Sequence, residues 1–193
     1  MPSPIGHALG GVIVAWIADL MPGRPDRGAG NPAAISRLSL ACAGLAALPD
    51  ADLLLPIAHR TVTHSLGAVV AVGLFMIIAT AVTGKVTRRI ALTCVAAYAS
   101  HLLLDWLQAD PTPPYGLQLL WPISSTWFLS GWNIFLATDR RHFLALATMK
   151  RNVVAVVQEL VILGPLVAAL WLIRVKALAG LSTKSSGGDH PAQ

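Results

Sequence analysis

His59-Arg60-Thr61-Val62-Thr63-His64-Ser65 runs directly into Leu66-Gly67-Ala68-Val69-Val70-Ala71-Val72-Gly73-Leu74-Phe75-Met76-Ile77-Ile78-Ala79-Thr80-Ala81-Val82-Thr83. From Ser65 onward this stretch holds no carboxylate, lysine, arginine or histidine. It is about the length that crosses a bilayer as one helix, roughly 20 residues. It is too long and too rich in Ala and Leu for a strand, and it lacks the alternation of a membrane barrel. Two imidazoles and a guanidinium therefore stand at the entrance to a membrane helix, where ionisable groups are costly unless something pairs with them.

Working outward, four more apolar segments appear, at 4–21, 33–48, 90–107 and 153–173. Hydrophobic residues make up 55% of the 193-residue chain and charged residues 12%. A soluble domain carries about twice that charge. The mean hydropathy of +0.65 agrees. The expected fold is all-α, an integral membrane bundle of about five transmembrane helices. One membrane-embedded domain covers 1–181, and a polar, Gly/Ser-rich tail over 182–193 is expected to be disordered. The first segment lacks the basic start of a signal peptide and is interrupted by His7 and Asp19, so it reads as part of the mature protein. Thr61 or Thr63 is placed to cap the third helix.

The stretch 117–137 is uncharged and nearly span length, which leaves a sixth crossing open. It holds Trp121, Trp127 and Trp132 together with Pro122, Ser124, Ser125, Gly131 and Asn133, a mixture that favours an interfacial or re-entrant segment. Cys42 and Cys94 lie inside apolar runs without metal spacing and read as small buried hydrophobes. The net charge of +5 is carried by scattered residues that form no stripe, so direct nucleic-acid binding is not expected. Lys85, Arg88 and Arg89 in a short loop, Arg24 and Arg27 in another, and Arg174, Lys176 and Lys184 share one side of a five-span topology. That side is expected to be cytoplasmic, in an inner membrane.

Ionisable residues collect on the other, extracytoplasmic side. His7 begins the first segment, Asp50 and Asp52 end the second, and His59 and His64 precede the third. His101 and Asp105 lie near the end of the fourth, and Glu159 lies early in the fifth. His101 and Asp105 are at i and i+4, one turn apart on one helix face. Imidazole and carboxylate donors without thiolate suit a divalent ion, zinc first, and the number of donors suggests two or more ions. The candidate ligands are His7, Asp50, His59, His64, His101, Asp105 and Glu159. Asp52 is a candidate to orient a histidine or act as a base, and Arg60 to bind an anionic oxygen or pair with a carboxylate. Asp19, at the far end of the first segment, reads as structural.

These pieces resemble a family of predicted membrane-bound metal-dependent hydrolases, also described as LexA-binding and inner-membrane-associated. The resemblance rests on His7 to Gly10, Leu48-Pro49-Asp50-Ala51-Asp52, His59 to Ser65, His101 to Asp105, and Gly116 with Leu120-Trp121-Pro122. It covers roughly residues 1–125. That family is in turn distantly similar to zinc-dependent phospholipase C and P1-type nucleases, which are all-helical with several zinc ions. Their Asp, a His fourteen positions later and a helical HxxxD are echoed by Asp50, His64, His101 and Asp105, and their early helical His by His7. Position 2 is proline where those enzymes have a ligating tryptophan, and Glu159 is preceded at 155 by Ala rather than His. The resemblance implies hydrolysis of a phosphoester or lipid-like substrate. A non-catalytic membrane protein whose metal is structural or recruits a partner is the alternative. A transporter would want polar groups through the full depth. No HExxH or GxSxG is present, and Val95 stands where acid-phosphatase-type lipid phosphatases carry Arg.

Overall fold

The computed structural model describes residues 1–21, 33–55, 58–139 and 144–186. Arg24, Arg27, Arg140, Arg141, His142 and His190 lie outside them. Among the described residues the fold is all-helical, with α1 (Pro4–Leu20), α2 (Arg37–Ala47), α3 (Leu66–Thr83), α4 (Arg88–Trp106) and α5 (Leu146–Ser186). Two short 3-10 helices, Leu48–Leu54 and Val62–His64, join α2 to α3.

The first four α-helices each start for a local reason. Ser3, Ser36, Ser65 and Thr87 are the N-caps, each accepting an N–H from three residues on. The cap of α3 is thus Ser65, one residue beyond His64, and neither Thr61 nor Thr63. Gly84 ends α3 in the left-handed conformation at φ +62°, where a side chain would be strained. Helix α2 gives way at Leu48-Pro49 to the 3-10 helix. Its 11 residues make a helix of about 16 Å, roughly half a bilayer core, so the second apolar segment is not a full α-helical span.

Two helices, α3 and α5, are long and apolar enough to cross a membrane. A buried core helix of a soluble protein can pass the same test, but α3 does not behave as one. Val70, Leu74, Phe75, Ile77, Ile78 and Val82 are all more than half exposed. An uninterrupted apolar surface of this kind marks a face that meets lipid or another protein. Helix α5 continues through Ser186, so the expected tail from 182 begins as helix.

The centre of the bundle is α1, which packs on α2, α4 and α5, while α3 packs on α4. Between α1, α2 and α4 the contacts are small: Ala15, Cys42 and Ala97 are fully buried together. Both cysteines are free and buried, as small core residues. A Cβ at Gly11 would come within 2.2 Å of the Cys42 carbonyl oxygen, so glycine is required for this approach. Close backbone contact through small residues is how helices associate where lipid competes for apolar surface.

Two polar clasps tie α1 to α5. At one end the Glu159 carboxylate accepts the Ser3 N–H at 2.6 Å and the Ser3 hydroxyl. At the other, Arg174 Nε donates to Asp19 at 2.7 Å, and its guanidinium stands 5.8 Å from the Trp16 ring. Ser3 pairs with 159 and Asp19 with 174, so α1 and α5 run parallel.

The stretch 117–137 forms neither an α-helix nor a named strand; it makes turns and isolated bridges, Gln108 with Phe135 and Leu117 with Phe128. A sixth helical span is therefore ruled out. Its Leu119 and Trp121 carbonyls accept the N–H groups of Leu66 and Gly67, closing the otherwise open N-terminus of α3. Gly11→Val should destabilise the fold by roughly 1–3 kcal/mol, because a backbone carbonyl cannot move aside as a side chain would. Thermal unfolding in detergent measures this, and an unchanged melting temperature would contradict the close α1–α2 approach.

Candidate metal centre

Four separate pieces of chain deliver donors to one point. His7 comes from the first turn of α1, and Asp50 from the 3-10 helix that Pro49 starts. His64 ends the second 3-10 helix, and His101 and Asp105 share one face of α4. His7, His64, His101 and Asp105 have no side-chain exposure, and Asp50 has 10%.

The distances between donors are specific. His7 Nε2 is 3.5 Å from Asp105 Oδ1. His64 Nε2 is 3.4 Å from Asp50 Oδ1 and 3.5 Å from Asp105 Oδ2. His101 Nε2 is 3.6 Å from Asp50 Oδ1 and 3.4 Å from Asp105 Oδ2. None of these donor atoms has a hydrogen-bond partner, although all are buried. Left so, each would cost about 1–3 kcal/mol, and more for the carboxylates. Ligands about 2.0–2.1 Å from a tetrahedral zinc are roughly 3.3–3.4 Å from each other. The donors of Asp50, His64, His101 and Asp105 Oδ2 thus stand about as far apart as they would around one ion, while His7 faces the other oxygen of Asp105; the donors form two groups that could each hold a metal, His7 with His101 and Asp105, and Asp50 with His59 and His64. The residues present fit a divalent metal. His7 and His101 stack with ring centroids 3.7 Å apart.

Surrounding groups fix which nitrogen is bare. His101 Nδ1 donates to the Ala46 carbonyl at 2.7 Å, which can only accept, so Nε2 carries the lone pair. His64 Nδ1 faces Asp52 Oδ2 at 3.3 Å and Thr63 Oγ1 at 2.9 Å, which leaves its Nε2 for the centre. Tyr98 holds this turn by donating its hydroxyl to the Thr63 carbonyl at 2.7 Å. Asp52 also accepts from His59 Nδ1 at 2.7 Å and from Thr63 at 2.8 Å. It therefore orients two histidines and is not itself among the convergent donors.

The other candidates are placed differently. His59 has an atom within 4.8 Å of donors of Asp50 and His64. Its two nitrogens are already engaged, with Asp52 and with the Met1 sulfur. Glu159 joins neither group of convergent donors, because its carboxylate is held by Ser3. This departs from the ligand role expected of it: Glu159 positions the start of α1, and with it His7. Arg60 pairs with Asp110, and its backbone lies at φ +62°, held by the Gln118 N–H on its carbonyl at 3.0 Å. Asp110 also accepts the Gly116 N–H at 2.8 Å. Sequence spacing pointed to neither Ser3 nor Asp110. Gln108, fully buried with both side-chain polar atoms unpartnered, carried no signal either.

Two groups beside the centre are held in their charged forms. Burial would raise the Asp52 carboxyl, but His64, His59 and Thr63 outweigh it and hold it below the usual carboxylate range. Burial also opposes the charge on His64, yet the facing carboxylates of Asp50 and Asp52 bring its pKa up to about 9.

The bundle and its buried donors define a membrane protein with a candidate metal centre. The model of the YdjM inner membrane protein family matches residues 1–179, and the chain belongs to that family. The match identifies an inner membrane protein and names no reaction. No curated protein and no solved structure matches the chain.

Because His64 must lose its proton to bind metal, apparent metal affinity should weaken by up to roughly tenfold per pH unit as pH falls below about 9. For the metal-free protein the sign reverses: the raised pKa contributes stability in full below 6.5, and this is lost as pH rises through about 9. Metal titrations at pH 7 and 8 check the first statement, and equal affinities would contradict it.

Proposed function

We propose that this chain is a membrane-embedded metal-dependent hydrolase acting on a phosphoester or lipid-like substrate. The observation that supports it is the set of buried, unpartnered donors of His7, Asp50, His64, His101 and Asp105, each within 3.6 Å of another at separations that suit metal ligands. Together with His59 they form two groups that could each hold a divalent ion, zinc by donor type: His7 with His101 and Asp105, and Asp50 with His59 and His64, in keeping with two or more ions. Such an ion supplies a nucleophilic water near neutral pH and polarises a phosphoryl oxygen.

The chain's own residues do the rest. Asp52 keeps the Nδ1 proton of His64 turned away from the centre and holds His59 through its Nδ1. His59, with 22% exposure, is the most accessible of the imidazoles around the centre and marks the side from which a substrate enters. Arg60, fixed by Asp110, presents a guanidinium beside it for an anionic oxygen.

In this reading the protein is multi-pass. The parallel course of α1 and α5 is what five successive segments give, with α2 and the 3-10 helix after it descending together. Lys85, Arg88 and Arg89 flank the ends of α3 and α4 away from the donors, so the centre faces the extracytoplasmic side.

One observation favours a second reading. Four of the five donor residues are wholly enclosed, as in structural zinc sites, which are closed. That reading makes the protein a non-catalytic member whose metal stabilises the bundle. Turnover decides. Detergent-purified protein is assayed against chromogenic phosphomonoesters, phosphodiesters and phospholipids, with metal content measured in parallel. The hydrolase reading expects turnover that Asp105→Ala abolishes together with the metal. Asp52→Asn should retain metal and lose about 10–100-fold in activity. A metal-loaded protein inert on the whole panel selects the structural reading.

A further inference from the structure

A cleft of about 990 Å³ lies beside the metal centre, and His59 is part of its wall. We propose that this cleft seats an anionic lipid, with its headgroup at Lys150 and its chains along the apolar flank of α5. The proposal deepens the hydrolase reading by naming the substrate class, but binding itself requires no turnover.

The charges in the cleft point to an anion. Arg60 is paired with Asp110, and Arg151 with Asp139 at 3.1 Å. Lys150 also lines the cleft, and among the described residues no carboxylate lies within ion-pair distance of it. The neighbouring stretch 140–143, Arg-Arg-His-Phe, contributes no carboxylate in sequence either. The cleft therefore carries one ammonium more than its carboxylates neutralise.

The walls point to a lipid rather than a soluble ester. Leu53, Leu136 and Val154 line the cleft with 47%, 40% and 57% of their surfaces exposed. A small phosphoester would leave these uncovered, and the volume is near the upper end for a small-molecule site. Val154 stands one turn after Lys150 on the same face of α5, followed on that face by Val157 and Val161. Both are more than half exposed, in a helix long and apolar enough to span the membrane. A headgroup at Lys150 thus places its chains along a continuous apolar stripe leading into the bilayer. An exposed lysine on a flexible stem at the start of a membrane helix is well placed for this.

The test uses the full chain in detergent, metal-loaded, with dioleoyl phosphatidic acid and dioleoyl phosphatidylcholine as probes and native mass spectrometry as the readout. Phosphatidic acid should be retained in preference to phosphatidylcholine. Lys150→Ala should weaken it about tenfold, the worth of one charge-assisted contact, and Lys150→Arg should restore it. Val154→Trp, which fills the cleft without touching the charge, should weaken it as well. All three variants should keep wild-type metal content. Equal retention of the two lipids, or binding unaffected by Lys150→Ala and Val154→Trp, would overturn the proposal. So would competition by glycerol 3-phosphate at the concentrations where phosphatidic acid binds, since that would identify a soluble ligand. Lipid retained as stated without turnover counts against the hydrolase reading alone. Turnover of soluble esters without lipid retention counts against the lipid alone.

Discussion

Asp50 and Asp105 put two carboxylates, one with 10% of its side chain exposed and the other with none, against three imidazoles they do not touch closely enough to bond. Uncompensated, each buried charge costs several kcal/mol even after the surroundings relax. A divalent cation would cancel the two charges and give each imidazole a partner. The rest of the bundle can be understood as what is needed to hold those donors apart at that spacing. The 3-10 helix after α2 aims Asp50, Asp52 orients His64, and the Ala46 carbonyl orients His101. The Ser3–Glu159 clasp sets the first turn of α1, from which His7 projects.

The polar contacts divide the bundle into two halves of different character. Around the centre they are dense and connect short, non-α pieces of chain. Away from it they reduce to a few clasps, such as Arg174 with Asp19 and Arg89 with the Met21 carbonyl, among small-residue helix contacts. This follows from the solvent. Helices in lipid gain little from apolar burial against each other, so close packing and a few hydrogen bonds must hold them. The cleft beside His59 lies where the two regimes meet, with charged groups at one edge and the apolar flank of α5 at the other.

Much of this was legible in the sequence because chemistry and topology coincide there. Asp50, His64, His101 and Asp105 stand out as ionisable groups in apolar surroundings, and the alternation of segments places them on one side. Helix lengths were less legible. The apolar run at 33–48 is short for a span and ends as expected before Pro49, but it gives no sign that the α-helix begins only at Arg37, where Ser36 caps it. Roles that depend on a distant partner were not legible. Glu159 looks like a ligand until Ser3, 156 positions away, is seen to occupy its carboxylate. Arg60 meets Asp110 through a loop whose path no periodicity encodes. The stretch 117–137 was recognisable as irregular by its Trp, Pro and Ser content, but not as the cover over the start of α3.

The central claim is that a divalent metal joins imidazoles and carboxylates brought from four parts of the chain. Crystals of the metal-loaded protein, with anomalous scattering recorded on both sides of the metal absorption edge, test it most directly. The expected result is an anomalous peak about 2.0–2.2 Å from His64 Nε2, His101 Nε2 and the nearest oxygens of Asp50 and Asp105, with any second peak beside His7 and Asp105 or beside His59, and with Glu159 still on Ser3. A peak elsewhere would contradict it. So would no peak, with the imidazoles closed onto the carboxylates at ordinary hydrogen-bond distance.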